Sequence, residues 1–583
     1  MRDKRSHDAL FWPGRIGPMS LANRIVMAPM TTRLSDAEGH ATPQSEAYYK
    51  ARAAGGTGLV TVEMAAPEPA GKHRHFELAI SEDRFLPGLT RIVSAIHGAG
   101  AKASIQLGHG GGHTRADICG QTPIAPSAIP HDVQEGHTET IIPAEMTVER
   151  IGVTVAAFAA AARRAERAGF DAVELHGAHG YLLSQFMSPL ENTRQDCYGG
   201  ALDNRARFAL EIITAVRTAV PELAVIFRMN GDDFFDGGLT AAEAVQIAVW
   251  AAAAGADAIH VTGGHYRSKP TAAIMIPPMA TAPTPFLGFA SAIKAAVTVP
   301  VITVGRFGDP AAAAAALEQG HADFVALGRP LLADPDWANE ARAGKGVRRC
   351  LACNSCVDGM RAGERLSCIV NPRTGRETDP AFGKLARSGQ RIAVIGAGPA
   401  GLAYASEMAN ANAVSVFEKR SQTGGALRLA GYASMFQGVA ATSHSLLEYV
   451  ASQELRCRER GVSFAFEMDV LRDPLLLSKF DHIVVATGAR YRAGSGPAVE
   501  SLLRRGTLRR PPFEALMCRP GPRDWFYHSA RAATGPAIAA RLRNLGHSIE
   551  LIGDAARPGK TDAAIASAYA AAYECHVPMT EVV

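Results

Sequence analysis

Between residues 24 and 326 the chain alternates short, mostly apolar runs with longer stretches whose apolar residues recur every three to four positions. The short runs are Arg24–Ala28, Leu59–Glu63, Ala103–Leu107, Ala172–Leu175, Ala224–Arg228, Ala258–Val261, Val301–Val304 and Phe324–Ala326. Helical spacing occupies Val153–Ala168, Arg205–Val220, Ala241–Ala254 and Pro310–Gln319. Continuous apolarity over a few residues predicts strands buried on both faces, and the amphipathic stretches predict crossover helices. This series, with no hairpin signals, predicts an α/β fold built on a closed (β/α)8 barrel. A doubly wound open sheet has the same alternation. No glycine-rich phosphate loop follows the first strand, which favours the barrel.

A second pattern starts at Arg391-Ile-Ala-Val-Ile-Gly396-Ala-Gly398-Pro-Ala-Gly401: an apolar strand, a glycine turn and a helix start. Glu418 follows after a second apolar run, Val414-Ser-Val-Phe. Strand, glycines, helix and acidic residue together predict a Rossmann-like nucleotide site. The glycines admit a pyrophosphate to the helix N-terminus, and the glutamate accepts from the adenosine ribose. Thr423-Gly-Gly425, Ala486-Thr487-Gly488 and Gly553-Asp554 complete the series of loop signals. Between the two patterns lies Cys350-Leu-Ala-Cys353-Asn-Ser-Cys356, followed by Cys368. Three thiolates crowded on one turn with a fourth from a return loop suit a [4Fe–4S] cluster. Tetrahedral zinc is the alternative, although structural zinc sites usually draw their ligands from two separated knuckles. The chain therefore reads as a barrel over 1–345, a cluster segment and linker over 346–387, and a nucleotide-binding domain over 388–583. A cluster between two cofactor sites reads as an electron relay.

If the first region is a barrel, its chemistry belongs at the C-terminal ends of the strands. Those ends are polar: Pro29-Met30-Thr31, Gln106 with His109, Arg228 with Asn230, and His260 with His265 and Tyr266. Gly305-Arg306 and Gly328-Arg329 follow the last two strands, where backbone N–H groups and a cation commonly hold a phosphate. The fourth strand leads into His176-Gly-Ala-His179-Gly-Tyr181. Histidines three residues apart on a turn can aim two N–H donors at one oxygen, and a nearby tyrosine can supply a proton. The plainer reading is a pair of hydrogen-bonded loop histidines. A metal reading of this pair lacks an acidic third ligand at suitable spacing.

Composition narrows the classes. Sixty basic against 56 acidic residues leave a formal charge of +4, too balanced to imply nucleic acid or an anionic membrane as partner. The N-terminal residues lack the apolar core of a signal peptide, and no apolar run is long enough to span a bilayer. Nine cysteines without a disulfide-like framework point to a reducing compartment, so a cytoplasmic protein is expected. The arginines of 503–510 read as a solvated loop.

The run His176-Gly-Ala-His179-Gly-Tyr181-Leu-Leu-Ser-Gln-Phe-Met-Ser-Pro-Leu-Glu-Asn192-Thr-Arg194-Gln-Asp196-Cys-Tyr198-Gly199-Gly200, with Asn204-Arg205, closely resembles Old Yellow Enzyme flavoproteins. The cysteines and the following fingerprint narrow the resemblance to the multidomain branch. That branch includes 2,4-dienoyl-CoA reductase, 2-enoate reductase, bile-acid-inducible reductases and trimethylamine dehydrogenase. The resemblance implies FMN at the barrel mouth, with Pro29, Met30 and Thr31 bordering the ring system and Gln106 on its polar edge. It puts Arg228 near N1 and C2, and Gly305, Arg306, Gly328 and Arg329 on the phosphate. Thr31 replaces the cysteine that bonds flavin covalently in trimethylamine dehydrogenase, so a non-covalent FMN is implied. FAD, or ADP in its place, is implied in the second domain at Gly396, Gly398, Gly401, Glu418, Gly425, Gly553 and Asp554. In the reductases of this branch a whole NAD(P)H domain stands between the Ala-Thr-Gly and Gly-Asp strands. Here only about 489–534 does, and it carries no second glycine fingerprint.

The implied activity is reduction of an enone or enoate, with His176 and His179 on the carbonyl oxygen and Tyr181 protonating the α-carbon. His265 aligns with a substrate-contacting histidine of dienoyl-CoA reductases. The alternative is oxidative amine dehydrogenation, with electrons leaving through the cluster. Either NAD(P)H or an electron-transfer protein is the expected electron partner, and a homo-oligomer is expected.

Overall fold

The structure is a computed structural model that describes residues 7–267, 274–430, 443–507, 510–517, 519, 521–522, 525, 529–543, 546, 548–575 and 577. The chain divides into two compact units. One comprises Met1–Pro277, Thr281–Gly344 and Cys356–Leu366; the other comprises Pro278–Ala280, Lys345–Ser355 and Ser367–Val583.

In the first unit the apolar runs become eight strands: β1 (Ile25–Met27), β2 (Leu59–Ala65), β3 (Lys102–Leu107), β4 (Ala172–Gly177), β5 (Ala224–Asn230), β6 (Ala258–Thr262), β7 (Val301–Val304) and β8 (Phe324–Leu327). They pair in parallel in sequence order, and β8 closes on β1. Every residue of β2, β4, β5, β6 and β8 is buried, as strands covered on both faces require. Around them lie α1 (Pro43–Ala54), α2 (Leu86–His97), α3 (Val148–Ala168), α4 (Leu202–Ala219), α5 (Ala241–Ala253), α6 (Leu287–Ala296) and α7 (Pro310–Glu318). Side-chain caps set several starts. Thr147 caps α3, which starts five residues before the expected Val153, and Thr240 with Glu243 forms a capping box on α5.

Two antiparallel hairpins contradict the expectation of none. Gly14–Ile16 pairs with Met19–Leu21. Ile16, Met19 and Leu21 pack on Leu59, Ala172, Ala224, Ala258 and Phe324, which open their strands or stand at the first residue. That hairpin therefore fills the N-terminal mouth and leaves the C-terminal mouth for chemistry. The second, His131–Glu135 with His137–Ile141, rises in the long connection after β3.

The second unit holds a parallel sheet of β9 (Arg391–Ile395), β10 (Ala413–Phe417), β11 (Ser463–Ala465), β12 (His482–Val485) and β13 (Ser548–Leu551). Its order, β11-β10-β9-β12-β13, is the nucleotide-binding arrangement expected from the glycine fingerprint. The short insert between β12 and β13 is closed at its base by an antiparallel pair, Ala489–Tyr491 with Arg531–Ala533. Inside it, the arginine stretch read as a solvated loop is partly helical. The helix Gly496–Arg504 has a high contrast between its faces and buries Leu503. Residues 508 and 509 lie outside the described residues. Among the described residues no helix is long and apolar enough to cross a membrane.

The second unit also buries charge. After β9 comes α9 (Pro399–Met408), which follows α8 (Ser355–Arg361) in the chain and packs on the last helix, α10 (Thr561–Tyr573). Glu407 on α9 accepts from Arg348 at 3.0 Å, Tyr569 at 3.0 Å and Tyr573 at 2.7 Å. Burial works against its charge, but Arg348 and Arg373 outweigh it and hold the carboxyl at about 2. Removing one partner of such a group leaves an uncompensated buried charge. We expect Glu407→Ala to lower the unfolding free energy by about 3–5 kcal/mol in urea titrations. Because the folded-state pKa is depressed, the stabilisation is present above the unfolded value of about 4.3 and fades as pH falls toward the folded one. The gap between wild type and Glu407→Gln should narrow across that window.

Candidate active site

The C-terminal mouth of the barrel is organised around a buried carboxylate. Glu174, on β4, accepts from Gln106 Nε2 of β3 at 2.8 Å. His260 Nδ1 of β6 lies 2.7 Å from the other oxygen, and Arg228 Nη1 of β5 stands 3.8 Å away. Burial opposes ionisation of Glu174, yet His260 and Arg228 hold its carboxyl below the usual range. Gln106 and Arg228, both expected from the sequence at a flavin's polar edge, are thus fixed by one residue that the sequence reading did not single out. Its signal was available: an acidic residue inside an otherwise apolar strand must find donors.

Beyond β4 the chain turns sharply. His179 and Gly180 both take left-handed backbone, φ 67° and 84°. A Cβ at Gly180 would stand 2.4 Å from the His265 ring, so glycine is required there. Asn230, at the end of β5, accepts the His179 N–H at 3.3 Å, and the loops after β4 and β6 meet in a parallel bridge between His179 and His265. This brings together the rings of His176 and His179 (5.2 Å between centroids) and of His176 and Tyr181 (5.0 Å). His179 Nε2 lies 3.0 Å from Thr262 Oγ1. Burial first, then the nearby Arg228 guanidinium, push both histidines well below their ordinary value, so both are neutral at pH 7.

His265 is turned to a carboxylate: its Nε2 lies 2.8 Å from Glu191, and Glu191 also accepts from Arg267. Burial opposes the charged imidazole, and Glu191 reverses this and raises the His265 pKa. The neighbour that reaches Tyr181 is Tyr266, whose hydroxyl lies 2.9 Å from that of Tyr181. Arg74 Nη2 donates to Tyr266 at 3.4 Å, and His113 stacks on the Tyr266 ring at 3.6 Å. From sequence Tyr266 stood out only as a polar residue after the sixth strand, and Arg74 did not stand out at all. Arg74 stands 192 positions from Tyr266 along the chain, and no local pattern reports such a pairing.

Pro29, Met30 and Thr31 follow β1 and are partly exposed. A Cβ on Gly328 would come within 3.1 Å of Met30 Sδ, which puts that glycine beside the β1 loop. Arg306 is left-handed at φ 56°, and Arg329 Nη2 donates to the Pro277 carbonyl at 2.8 Å. Arg228 Nε and His176 Nδ1 are buried without a partner in the protein. Unpaired buried donors and acceptors at the mouth, with glycines after β7 and β8, fit a polar, phosphorylated ring system.

In the second unit a cavity of about 1270 Å³ brings together Gly396, Gly398, Glu418, Gly425 and Asp554. A Cβ on Gly398 would meet only Gly425 Cα, at 4.0 Å, whereas one on Gly401 would strike the Gly396 carbonyl at 2.0 Å, so the first glycine leaves room beside the cavity and the other packs helix on strand. Gly553 packs behind the cavity wall against Ala400. Glu418 accepts from the N–H groups of Ala397 and Arg420, each at 2.9 Å. Asp554 pairs with Arg531 at 2.7 Å, a partner the sequence reading did not name. The Cys368 thiol is pushed up to about 12 by burial, then by Cys350 and Cys353 beside it. Ala352 and Asn354 are left-handed, and the Ala352 N–H donates to Cys350 Sγ at 3.3 Å. Cys356 lies on α8. Among the described residues no group of three or more His, Cys, Asp or Glu stands in metal-ligating geometry. The donors and the N–H···S bond nevertheless suit a thiolate-held centre.

Residues 9–347 match the NADH:flavin oxidoreductase / NADH oxidase family. The chain belongs to this family. Residues 394–438 match an NAD(P)-binding Rossmann-like domain. An NADH oxidase of Thermoanaerobacter brockii is 40% identical over 429 residues, which are 72% of this chain and 65% of that protein. An N,N-dimethylglycine/sarcosine dehydrogenase of Chromohalobacter salexigens is 30% identical over 589 residues, covering 98% of this chain and 83% of that one. The fold is shared with a 2-naphthoyl-CoA reductase complex at TM-score 0.85 and 22% identity, over 98% of this chain and 100% of the other. The protein is accordingly a flavin-dependent oxidoreductase of the multidomain Old Yellow Enzyme branch, with FMN as its barrel cofactor.

For this flavin oxidoreductase, Glu174→Ala should leave Arg228 buried without its carboxylate and Gln106 without its acceptor. We expect FMN retention on ultrafiltration to weaken by about 10- to 100-fold in Kd, the cost of a lost charged hydrogen bond.

Proposed function

We propose that the protein reduces the C=C bond of an α,β-unsaturated carbonyl compound at the barrel mouth. The observation that carries this reading is the pair of buried His176 and half-buried His179, their ring centroids 5.2 Å apart, in surroundings where burial and then Arg228 disfavour charge on both. Neutral imidazoles each keep one N–H to donate, and a cationic surrounding favours negative charge growing on a carbonyl oxygen. FMN, when bound, supplies the hydride that goes to the β-carbon. His176 and His179 hold the substrate carbonyl oxygen and stabilise the enolate charge as it develops. Tyr181 is buried, has its hydroxyl held above the ordinary tyrosine value chiefly by burial, and donates its proton to the α-carbon. Gln106, Arg228, Gly305, Arg306, Gly328 and Arg329 are the residues we assign to the flavin.

We assign Cys350, Cys353, Cys356 and Cys368 to a [4Fe–4S] cluster and the second cavity to FAD or ADP. With the insert at 489–534 so short, a protein donor is the preferred source of electrons, and NAD(P)H acting at the barrel mouth is the other. An amine dehydrogenase running in the oxidative direction is the second reading. It is favoured by the 98% coverage of this chain in the alignment with the Chromohalobacter dehydrogenase. Anaerobic reduction of the purified protein, followed by reoxidation with an enone or reduction by a secondary or tertiary amine, separates the two. Rapid reoxidation by the enone supports the first reading, and flavin bleaching by the amine alone supports the second.

Two outcomes check the assignments. Anaerobically purified protein should contain about four irons and four labile sulfides per chain, and acid should release its FMN. Stoichiometric zinc without sulfide would remove the cluster. Replacing His176 and His179 together should weaken binding of phenols, which present an oxyanion over oxidised flavin, by about 10- to 100-fold. Unchanged affinity, read from the flavin charge-transfer band, would put the pair away from the flavin.

A further inference from the structure

Tyr181 is 7% exposed, so after giving up a proton it needs a source other than direct contact with bulk water. Its hydroxyl lies 2.9 Å from that of Tyr266, and Tyr266 is partly exposed. Stacking on His113 at 3.6 Å and 15° accounts for where the Tyr266 ring sits. It does not account for where the hydroxyl points, between Tyr181 and Arg74.

We propose that Tyr266, held by Arg74, is the positioning acid that returns a proton to Tyr181 during substrate reduction. This rests on the ene-reductase reading. The Tyr181 O–H bond breaks as a C–H bond forms at the substrate α-carbon. The Tyr266 O–H bond then breaks as the Tyr181 O–H bond is remade. The phenolate left on Tyr266 faces the Arg74 guanidinium and takes its proton from solvent water or hydronium. Only protons move in these steps, and the count balances at one proton per turnover.

The charged and titratable groups around Tyr266 agree with that direction. Burial disfavours a phenolate at both tyrosines. At Tyr266, Arg74 and then Arg361 outweigh burial and bring the hydroxyl below the ordinary tyrosine value, while Tyr181 stays well above it. His113 contributes no charge, because burial and Arg74 keep it neutral. Arg74 is itself immobilised. Its Nη1 pairs with Glu135 at 2.8 Å, Glu135 also pairs with Arg33, and Arg33 Nε donates to the Met360 carbonyl of α8 at 3.0 Å.

The test uses holoenzyme labelled with 13C at the tyrosine ζ carbon. One tyrosine should titrate below the ordinary value of about 10. That signal should vanish in Tyr266→Phe and move upward in both Arg74→Met and Tyr181→Phe. In multiple-turnover enone reduction by holoenzyme with excess dithionite, Tyr266→Phe should slow turnover about tenfold, the rate equivalent of one hydrogen bond. The wild-type rate should fall as pH rises through the Tyr266 pKa, because the step needs that group protonated. Tyr266→Phe should lose this falling limb, and Arg74→Lys should keep it. A Tyr266→Phe enzyme with the wild-type limb, or no tyrosine titrating low, overturns the proposal. If the wild type reduces no enone, the ene-reductase reading fails separately. The NMR titration then decides alone: a low-titrating Tyr266 that answers to Tyr181→Phe upholds the hydroxyl pair as a proton couple, and its absence overturns it.

Discussion

Burying Glu174 in the barrel constrains everything around it. An ionised carboxylate removed from water demands compensating donors within hydrogen-bond reach. β3, β5 and β6 supply them as Gln106, Arg228 and His260. Each of those side chains is thereby held in one orientation before any ligand arrives, which is the preorganisation a flavin site needs. The same arrangement sets the protonation of the histidine pair. Arg228 cannot leave Glu174 without stranding it, so its charge stays beside His176 and His179 and adds to burial, the larger cause, in keeping them neutral.

The geometry of the proposed site depends equally on where two loops cross. β4 and β6 are not neighbours in the barrel; β5 lies between them. Their loops meet because Asn230 at the end of β5 accepts the His179 N–H, and because Gly180 leaves room for the His265 ring. A non-glycine residue with positive φ costs free energy that surrounding contacts must offset. The strained His179 is held by Asn230, Thr262 and the bridge to His265. The result is that His265 and Tyr266, adjacent in sequence, serve different ends. One is locked to Glu191 and secures the loop, and the other reaches Tyr181.

The barrel was legible in the sequence because strands buried on both faces leave unbroken apolar runs, and every one of the eight lies where such a run stands. The N-terminal hairpin was missed because Gly17 at its turn is flanked by strands of only three residues, too short to show alternation. His176, His179 and Tyr181 could be picked out because they share one local motif. Glu174, Arg74 and Tyr266 could not, since their meaning lies in partners 68 to 192 positions away. Buried arginines such as Arg33 and Arg74 are the extreme case. By type they belong on a surface, and the folded arrangement of Glu135, the Met360 carbonyl and Tyr266 explains their burial.

The insert at 489–534 raises a question of chain closure rather than of catalysis. A domain can be inserted at one point in a sheet only if the chain leaves and returns close together, and the cost of closing such a loop grows slowly with its length. Here the exit and return strands pair with each other, and Thr487 and Thr534 share a 2.6 Å hydrogen bond at the base. The sheet from β9 to β13 is therefore complete whether the excursion is long or short. What changes with length is what the excursion presents. In this chain it lines the nucleotide cavity with Arg490, Arg492, Arg504 and Arg505. Cations grouped on one wall lower the free energy of a multiply charged phosphate ligand. A short, arginine-rich excursion thus presents cations to the phosphates of a dinucleotide or mononucleotide at this site.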